Sequence, residues 1–122
     1  MKPKVLVIED NEQNLYLTTF LLQAHGYEVV QARDGQEGIE VANQVRPTLI
    51  LLDIQLPVMD GYAVAEALRS NPNLVDTPIV AVTSYAMTGD KERTLEAGCT
   101  GYIEKPINPD TFMTEVNRYL DP

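Results

Sequence analysis

Acidic, hydroxyl and basic side chains follow four short apolar segments of the chain, and these side chains are the ones that could do chemistry. They are Glu9 and Asp10 after VLVI, Asp53 after LILL, Thr83 and Ser84 after IVAV, and Lys105 after GYIE. Two carboxylates 4 Å apart repel each other by roughly 4 kcal/mol at an effective dielectric near 20. A cleft that holds three of them must therefore keep a proton or bind a cation.

The candidate ligands are all oxygen atoms, with no Cys or His among them. This donor set favours a hard cation such as Mg2+ over Zn2+. A carboxylate beside Mg2+, with an ammonium and a hydroxyl nearby, has the groups needed to attack a phosphoryl group. Lys105 would neutralise charge on the transferred oxygens, and Thr83 could bond to one of them and so sense the phosphoryl group. The alternative, that Thr83 is an ordinary strand-end hydroxyl, is equally compatible with the spacing alone.

Apolar, β-branched segments alternate five times with segments that carry helical spacing or helix-boundary signals. The strand segments are KVLVIE, YEVVQ, TLILLD, PIVAVTS and TGYIE. Helices are predicted from the Asn11 cap to Gly26, and at about 35–44, 61–70, 88–97 and 108–120. The run TLILLD is apolar without alternation, which is typical of a central strand covered on both faces. This pattern predicts an open parallel sheet with functional groups at the carboxyl ends of its strands.

The first and second helices carry further signals. The apolar set of the first includes Leu15, Phe20, Leu21 and Leu22. The second should close at Arg46, because a residue before proline disfavours the right-handed helical conformation.

Composition excludes several classes of protein. The 122 residues are the length of one domain, and a net charge of -9 would repel a nucleic acid backbone. The sequence contains neither an apolar run long enough to span a membrane nor a secretory signal, so we expect a cytoplasmic protein. Cys99 is the only cysteine, which excludes an internal disulfide and favours a place in the core.

The sequence resembles the receiver domain of two-component response regulators over essentially its whole length. The motifs IEDN, LLDIQLPVMDG, AVTS and YIEKP stand in order, and TSYAMTGDKERTLEAGCTGYIEKPI is most similar to free-standing receivers of the DivK type. The resemblance implies an α/β fold of the flavodoxin or CheY kind, with a doubly wound five-stranded parallel sheet in order 2-1-3-4-5 and five helices. It also implies one receiver domain over residues 1–122 without an output domain.

The resemblance assigns a role to each residue of the acidic group. Asp53 would accept the phosphoryl group, while Asp10, Asp53 and the backbone carbonyl of Gln55 would bind Mg2+. Glu9 would act largely through a water on the metal.

The same resemblance assigns the switch. Lys105 would contact the aspartyl phosphate, and a cis peptide bond before Pro106 would aim the lysine into the site. Thr83 would swing toward the phosphoryl group and let Tyr102 move inward, which changes the face made by the fourth helix and fifth strand.

Three positions are expected to modulate the lifetime of the phosphorylated state. Gln55, Ser84 and Tyr85 stand where receivers tune the access of water to the acyl phosphate. We expect the bulky Tyr85 to slow self-dephosphorylation.

The resulting hypothesis is a signalling module that is phosphorylated by a sensor or hybrid histidine kinase or by a phosphotransfer protein. It would dock through the first helix near Asn14 and Leu15, signal by phosphorylation-dependent protein binding, and exist as a monomer or weak dimer. Its only reactions would be its own phosphorylation and dephosphorylation.

Two alternatives are a receiver fragment of a hybrid histidine kinase and a small Mg2+-dependent phosphatase. The phosphatase is disfavoured because haloacid dehalogenase-like enzymes carry a second acid where Gln55 stands.

Overall fold

The computed structural model of the chain describes residues 2–56, 59–84 and 88–120. Within these residues, five strands alternate with five helices, and a short 3-10 helix, Pro72–Leu74, precedes the fourth strand. The strands are β1 (Lys4–Ile8), β2 (Glu28–Ala32), β3 (Leu49–Asp53), β4 (Ile79–Thr83) and β5 (Gly101–Glu104). The helices are α1 (Glu12–Ala24), α2 (Gly35–Val45), α3 (Gly61–Arg69), α4 (Thr88–Glu96) and α5 (Phe112–Leu120).

The strands form one parallel sheet in the order β2-β1-β3-β4-β5, which confirms the predicted topology. All five residues of β3 are buried, as expected for a central strand with helices on both faces. Ile8 pairs with Leu52, Asp53 with Val82, and Thr83 with Glu104. This register brings the carboxyl ends of β1, β3, β4 and β5 to the same edge of the sheet.

Two hydrophobic layers enclose the sheet, and neighbouring residues of each strand contribute to opposite layers. Leu6, Ile8, Ile50 and Leu52 face one layer, together with side chains of α2 and α3. Val5, Val7, Leu49 and Leu51 face the other, together with side chains of α1 and α5. Because both layers are apolar, the sheet is held rigidly under the polar groups at its carboxyl edge.

Helix α1 begins as predicted, since the Asn11 side chain accepts a hydrogen bond from the N–H of Asn14 at 3.0 Å. The predicted apolar set was wrong at Phe20, which is 57% exposed and stacks on Tyr16. Leu15, Thr18 and Leu22 are three and four residues apart and face the sheet, whereas Tyr16 and Phe20 belong to the outer side. The prediction that Leu15 contributes to docking is therefore wrong, because its side chain is buried against the sheet.

Two helix boundaries differ from the predicted ones in their detail. Helix α5 begins at Phe112 rather than at 108, because residues 108–111 form a turn in which the Asn108 side chain accepts from the N–H of Asp110. Arg46 does leave the right-handed helical region before Pro47, but it does so at φ 48°, in the left-handed region.

Two predictions from composition can be compared with the structure. Cys99 is buried in the layer that contains α2 and α3, and burial raises the pKa of its thiol to about 11. No helix in the described residues is long and apolar enough to cross a membrane.

Candidate functional site

The polar residues identified in the sequence lie at the carboxyl edge of the sheet. Glu9 and Asp10 follow β1, while Asp53 and Thr83 are the last residues of β3 and β4. Lys105 follows β5, and its backbone N–H donates to the carbonyl oxygen of Thr83 at 2.8 Å. Four strands of the sheet therefore deliver one or more of these residues to the same edge.

The ammonium of Lys105 lies close to two buried carboxyl groups. Its Nζ lies 3.0 Å from Asp53 Oδ1 and 3.7 Å from Glu9 Oε1. Little water reaches these groups, since the side chains of Lys105, Asp53 and Glu9 are 13%, 3% and 6% exposed. Partial exclusion of water strengthens the attraction and fixes the ammonium beside the Asp53 carboxylate.

Glu9, Asp10 and Asp53 can each direct one carboxylate oxygen toward a common point, and these oxygens lie within 4.8 Å of one another. Asp10 is exposed, whereas Glu9 and Asp53 are buried, so the group opens to solvent on the side of Asp10. Carboxylate oxygens are the ligands that Mg2+ prefers, and a partly open site leaves room for the water that Mg2+ retains. The donor set therefore fits this cation.

The shifted pKa of Glu9 shows that a second negative charge buried beside Asp53 is unfavourable. Its pKa is raised from 4.5 to about 8, chiefly by burial and then by its hydrogen bond to Asp53 and the negative charge of Asp53. Lys105 and the hydrogen bond from the N–H of Asn11 act in the opposite direction but do not compensate. Without a cation, Glu9 therefore holds a proton at neutral pH, and a divalent ion would take the place of that proton.

Gln55 connects the loops that follow β3 and β4. Its backbone N–H donates to Asp53 Oδ1 at 2.9 Å, and its side-chain Oε1 accepts from the N–H of the exposed Ser84 at 3.2 Å. Tyr85, the third residue expected to modulate the site, lies outside the described residues. Gln55 is thus tied both to the central carboxylate and to the segment that follows Thr83.

The residues expected to form the switch lie on the two strands at one side of Asp53. Thr83 is 3% exposed, and Tyr102 is half-buried against the layer that contains α2 and α3. The peptide bond between Lys105 and Pro106 is cis.

Sequence reasoning did not predict the contacts that two supporting residues make. Asn11 was recognised only as a helix cap, but its backbone N–H also donates to Glu9 Oε2 at 3.2 Å. Gly61 follows the cap residue Asp60 and packs on the backbone of Ile54, where an added Cβ would lie 2.5 Å from the Ile54 carbonyl oxygen. The Asp-Gly pair before a helix was the available signal for this close approach.

Comparison with known proteins gives matches along nearly the whole chain. The profile of the family described as "Response regulator receiver domain" matches residues 5–117. The polar-differentiation response regulator DivK of Brucella anthropi is 42% identical over 120 residues, which cover 98% of this chain and 98% of that protein.

Solved structures are similar over comparable lengths. The chemotaxis response regulator CheY4 of Vibrio cholerae has a TM-score of 0.94 and 32% identity, with 98% of this chain and 100% of that chain covered. The receiver domain of the sensor histidine kinase PA1611 from Pseudomonas aeruginosa, which has a magnesium ion coordinated in its active-site cleft, has a TM-score of 0.91 and 32% identity, with 100% of both chains covered. These similarities favour neither the kinase-fragment nor the phosphatase alternative.

Proposed function

This chain belongs to the response regulator receiver domain family, a family of phosphoryl-accepting signalling modules, and we propose that Asp53 is its acceptor. One observation carries the assignment. Asp53 ends the central buried strand, 3.0 Å from the ammonium of Lys105, and shares a cation-sized cluster of carboxylates with Glu9 and Asp10. Glu9 shares this environment, but it lies farther from the Lys105 ammonium, at 3.7 Å, and its raised pKa favours the protonated form, which is the weaker nucleophile.

In the proposed reaction, a carboxylate oxygen of Asp53 forms a bond to phosphorus while the bond between phosphorus and a histidine nitrogen of the donor breaks. Lys105 holds the carboxylate in place before the reaction and then contacts a phosphoryl oxygen. Mg2+ would supply further positive charge to the phosphoryl oxygens, and Asp10, Asp53 and the Gln55 carbonyl would hold it, with Glu9 nearby. The hydroxyl of Thr83 would donate to the product, and Tyr102 would follow the movement of Thr83.

The lifetime of the product is proposed to depend on the loops around Asp53. The hydrogen bond from the Ser84 N–H to the Gln55 side chain supports this idea, since it closes the loops after β3 and β4 against each other. We propose that Gln55, Ser84 and Tyr85 together limit the approach of water to the acyl phosphate. Self-phosphorylation and self-dephosphorylation are then the only chemistry of the chain.

The proposed donor is a sensor or hybrid histidine kinase or a histidine phosphotransfer protein. The exposed face of α1 that contains Tyr16 and Phe20 supports docking on this helix, in place of the buried Leu15.

Because such donors are loaded from ATP, the reaction belongs in the cytoplasm. Residues 1–122 would act as one receiver unit, a monomer or weak dimer, with output through protein binding rather than through nucleic acid, which the net charge of -9 would repel.

The test is intact mass measurement after incubation with acetyl phosphate, with and without Mg2+. We expect the native chain to gain one hydroxylamine-labile phosphoryl group only when Mg2+ is present. Asp53→Asn should gain none, whereas Asp76→Asn, which changes an exposed aspartate before β4, should behave like the native chain. Equal phosphorylation of Asp53→Asn would contradict the proposed acceptor.

A further inference from the structure

Arg93 of α4 makes two contacts with the beginning of α3. Its guanidinium carbon lies 4.1 Å from the centre of the Tyr62 ring, and its Nη2 lies 3.5 Å from Asp60 Oδ2. A guanidinium over an aromatic face is attracted by the ring as well as by a neighbouring carboxylate. We refer to these three side chains as the Arg93 clamp.

The clamp acts on a turn that is already fixed at its other side. Asp60 Oδ1 accepts a hydrogen bond from the N–H of Tyr62 at 2.9 Å, so the same carboxylate caps α3 and pairs with Arg93. Gly61 then packs so tightly on Ile54 that a Cβ would lie 2.5 Å from both the Cα and the carbonyl oxygen of Ile54. The Asp60–Gly61 turn cannot shift without pressing on, or leaving, the backbone of Ile54.

Ile54 is the residue between Asp53, which ends β3, and Gln55, whose backbone carbonyl is a proposed Mg2+ ligand. Asp53 precedes it, and Gln55 follows it, with the Gln55 N–H bonded to the Asp53 carboxylate at 2.9 Å. A continuous path of contacts therefore runs from Arg93 through the turn and Ile54 to the acidic cluster.

We propose that Arg93 is a positioning residue for this site, which holds the Asp60–Gly61 turn against Ile54 and so couples the position of α4 to the geometry of the cation-binding oxygens. This inference rests on the proposed function, because it concerns the same site. Coupling of this kind is reciprocal: a change that displaces α4 alters the site, and a change at the site is felt by α4.

The sign of the effect on Mg2+ binding separates this role from a general effect of charge. The chain has a net charge of -9, so removal of any distant positive charge should leave Mg2+ binding unchanged or make it tighter. Loss of a positioning residue should instead make Mg2+ binding weaker. Arg118 provides the control, since it is an exposed arginine on α5.

The experiment is a titration of isotope-labelled protein with MgCl2 alone, followed by amide chemical shifts, which give both the dissociation constant and the response of α4. We expect Arg93→Gln to weaken Mg2+ binding about two- to fivefold, the factor that corresponds to one exposed cation–π contact. Arg93→Lys keeps the charge and should stay closer to the native value than Arg93→Gln does. Arg118→Gln should bind Mg2+ as tightly as the native chain or more tightly.

A neutral substitution provides an independent second arm. Tyr62→Leu removes the ring without changing the charge, and we expect it to weaken Mg2+ binding in the same direction as Arg93→Gln. The double variant should be weakened by less than the product of the two single effects, because both remove the same contact. Circular dichroism of each variant verifies that it is folded.

Mg2+ binding by Arg93→Gln that equals or exceeds the native affinity would overturn the inference and leave the proposed function intact. Fully multiplicative effects of Tyr62→Leu and Arg93→Gln would overturn it as well. A native chain that neither binds Mg2+ nor gains a phosphoryl group would instead contradict the proposed function, and the inference with it.

Discussion

In the absence of a metal ion, the free energy of unfolding should fall as pH rises, because the folded chain holds a proton on Glu9. The pKa of this carboxyl is about 8 in the folded chain and 4.5 as its ordinary value, chiefly because the side chain is buried. Between these values the folded chain holds a proton that the unfolded chain has released. The contribution to stability is therefore fully present below pH 4.5 and is lost progressively as pH rises to about 8.

The size of this effect follows from the two pKa values. For one proton, the free energy of unfolding changes by at most about 1.4 kcal/mol per pH unit. The loss between pH 4.5 and about 8 is therefore at most about 5 kcal/mol. Glu9 is only 5% exposed, so solvent screens the effect little. A loss of a few kcal/mol is large beside the roughly 5–15 kcal/mol of a typical domain.

The assay is urea unfolding in EDTA between pH 5 and pH 8.5, for the native chain and Glu9→Gln. Glutamine resembles the protonated acid and does not titrate, so the native free energy of unfolding should decline relative to that of the variant by a few kcal/mol. Glu92→Gln removes one exposed carboxylate on α4 and controls for the change in net charge. Saturating Mg2+ should abolish the decline. A difference between native and Glu9→Gln that is independent of pH would refute the reasoning.

Three further predictions concern the loops and the lysine. Lys105→Met should slow phosphorylation by acetyl phosphate at least about tenfold, since a preorganised charge is lost, while its Mg2+ affinity in a titration should not fall. Gly61→Ala should lower the free energy of unfolding by roughly 2 kcal/mol, because the new Cβ meets the backbone of Ile54 rather than a flexible side chain; urea midpoints equal to the native one would contradict this. Tyr85→Ala should lose its phosphoryl group faster than the native chain in a mass-based decay measurement, and an unchanged or slower rate would remove the support for a shielding role of Tyr85.

The fold was predictable because its signals are local. The unbroken apolar run of β3 indicated a strand with two covered faces, and the alternation of strands and helices indicated an open parallel sheet. The strand order 2-1-3-4-5 came from the resemblance to receiver domains. The exposure of Phe20 could not be predicted from the spacing of apolar residues, because the side of α1 that faces the sheet depends on how the helix packs against it. The start of α5 was misplaced for a related reason, since Asn108 can cap either a helix or the turn that the chain forms.

The site was predictable where it depended on strand ends. Asp53 and Lys105 each lie at the end of an apolar run, and parallel strands bring such ends together. The contact between Arg93 and Asp60 spans 33 positions in the sequence and requires α3 and α4 to be placed first. The raised pKa of Glu9 could be expected only in direction, because its size depends on the depth of burial and on the partners.

Asp53 is the last residue of β3, whose five residues are all buried and which has a neighbouring strand hydrogen-bonded on each side. Amide hydrogens in core strands are expected to be among the slowest to exchange with solvent, because opening such strands costs a free energy that approaches that of global unfolding. Local opening elsewhere in the chain therefore leaves the Asp53 carboxylate where it is. The proposed acceptor therefore keeps its position for as long as the protein is folded, and the duration of a signal would be set separately, by the rate at which the acyl phosphate is hydrolysed.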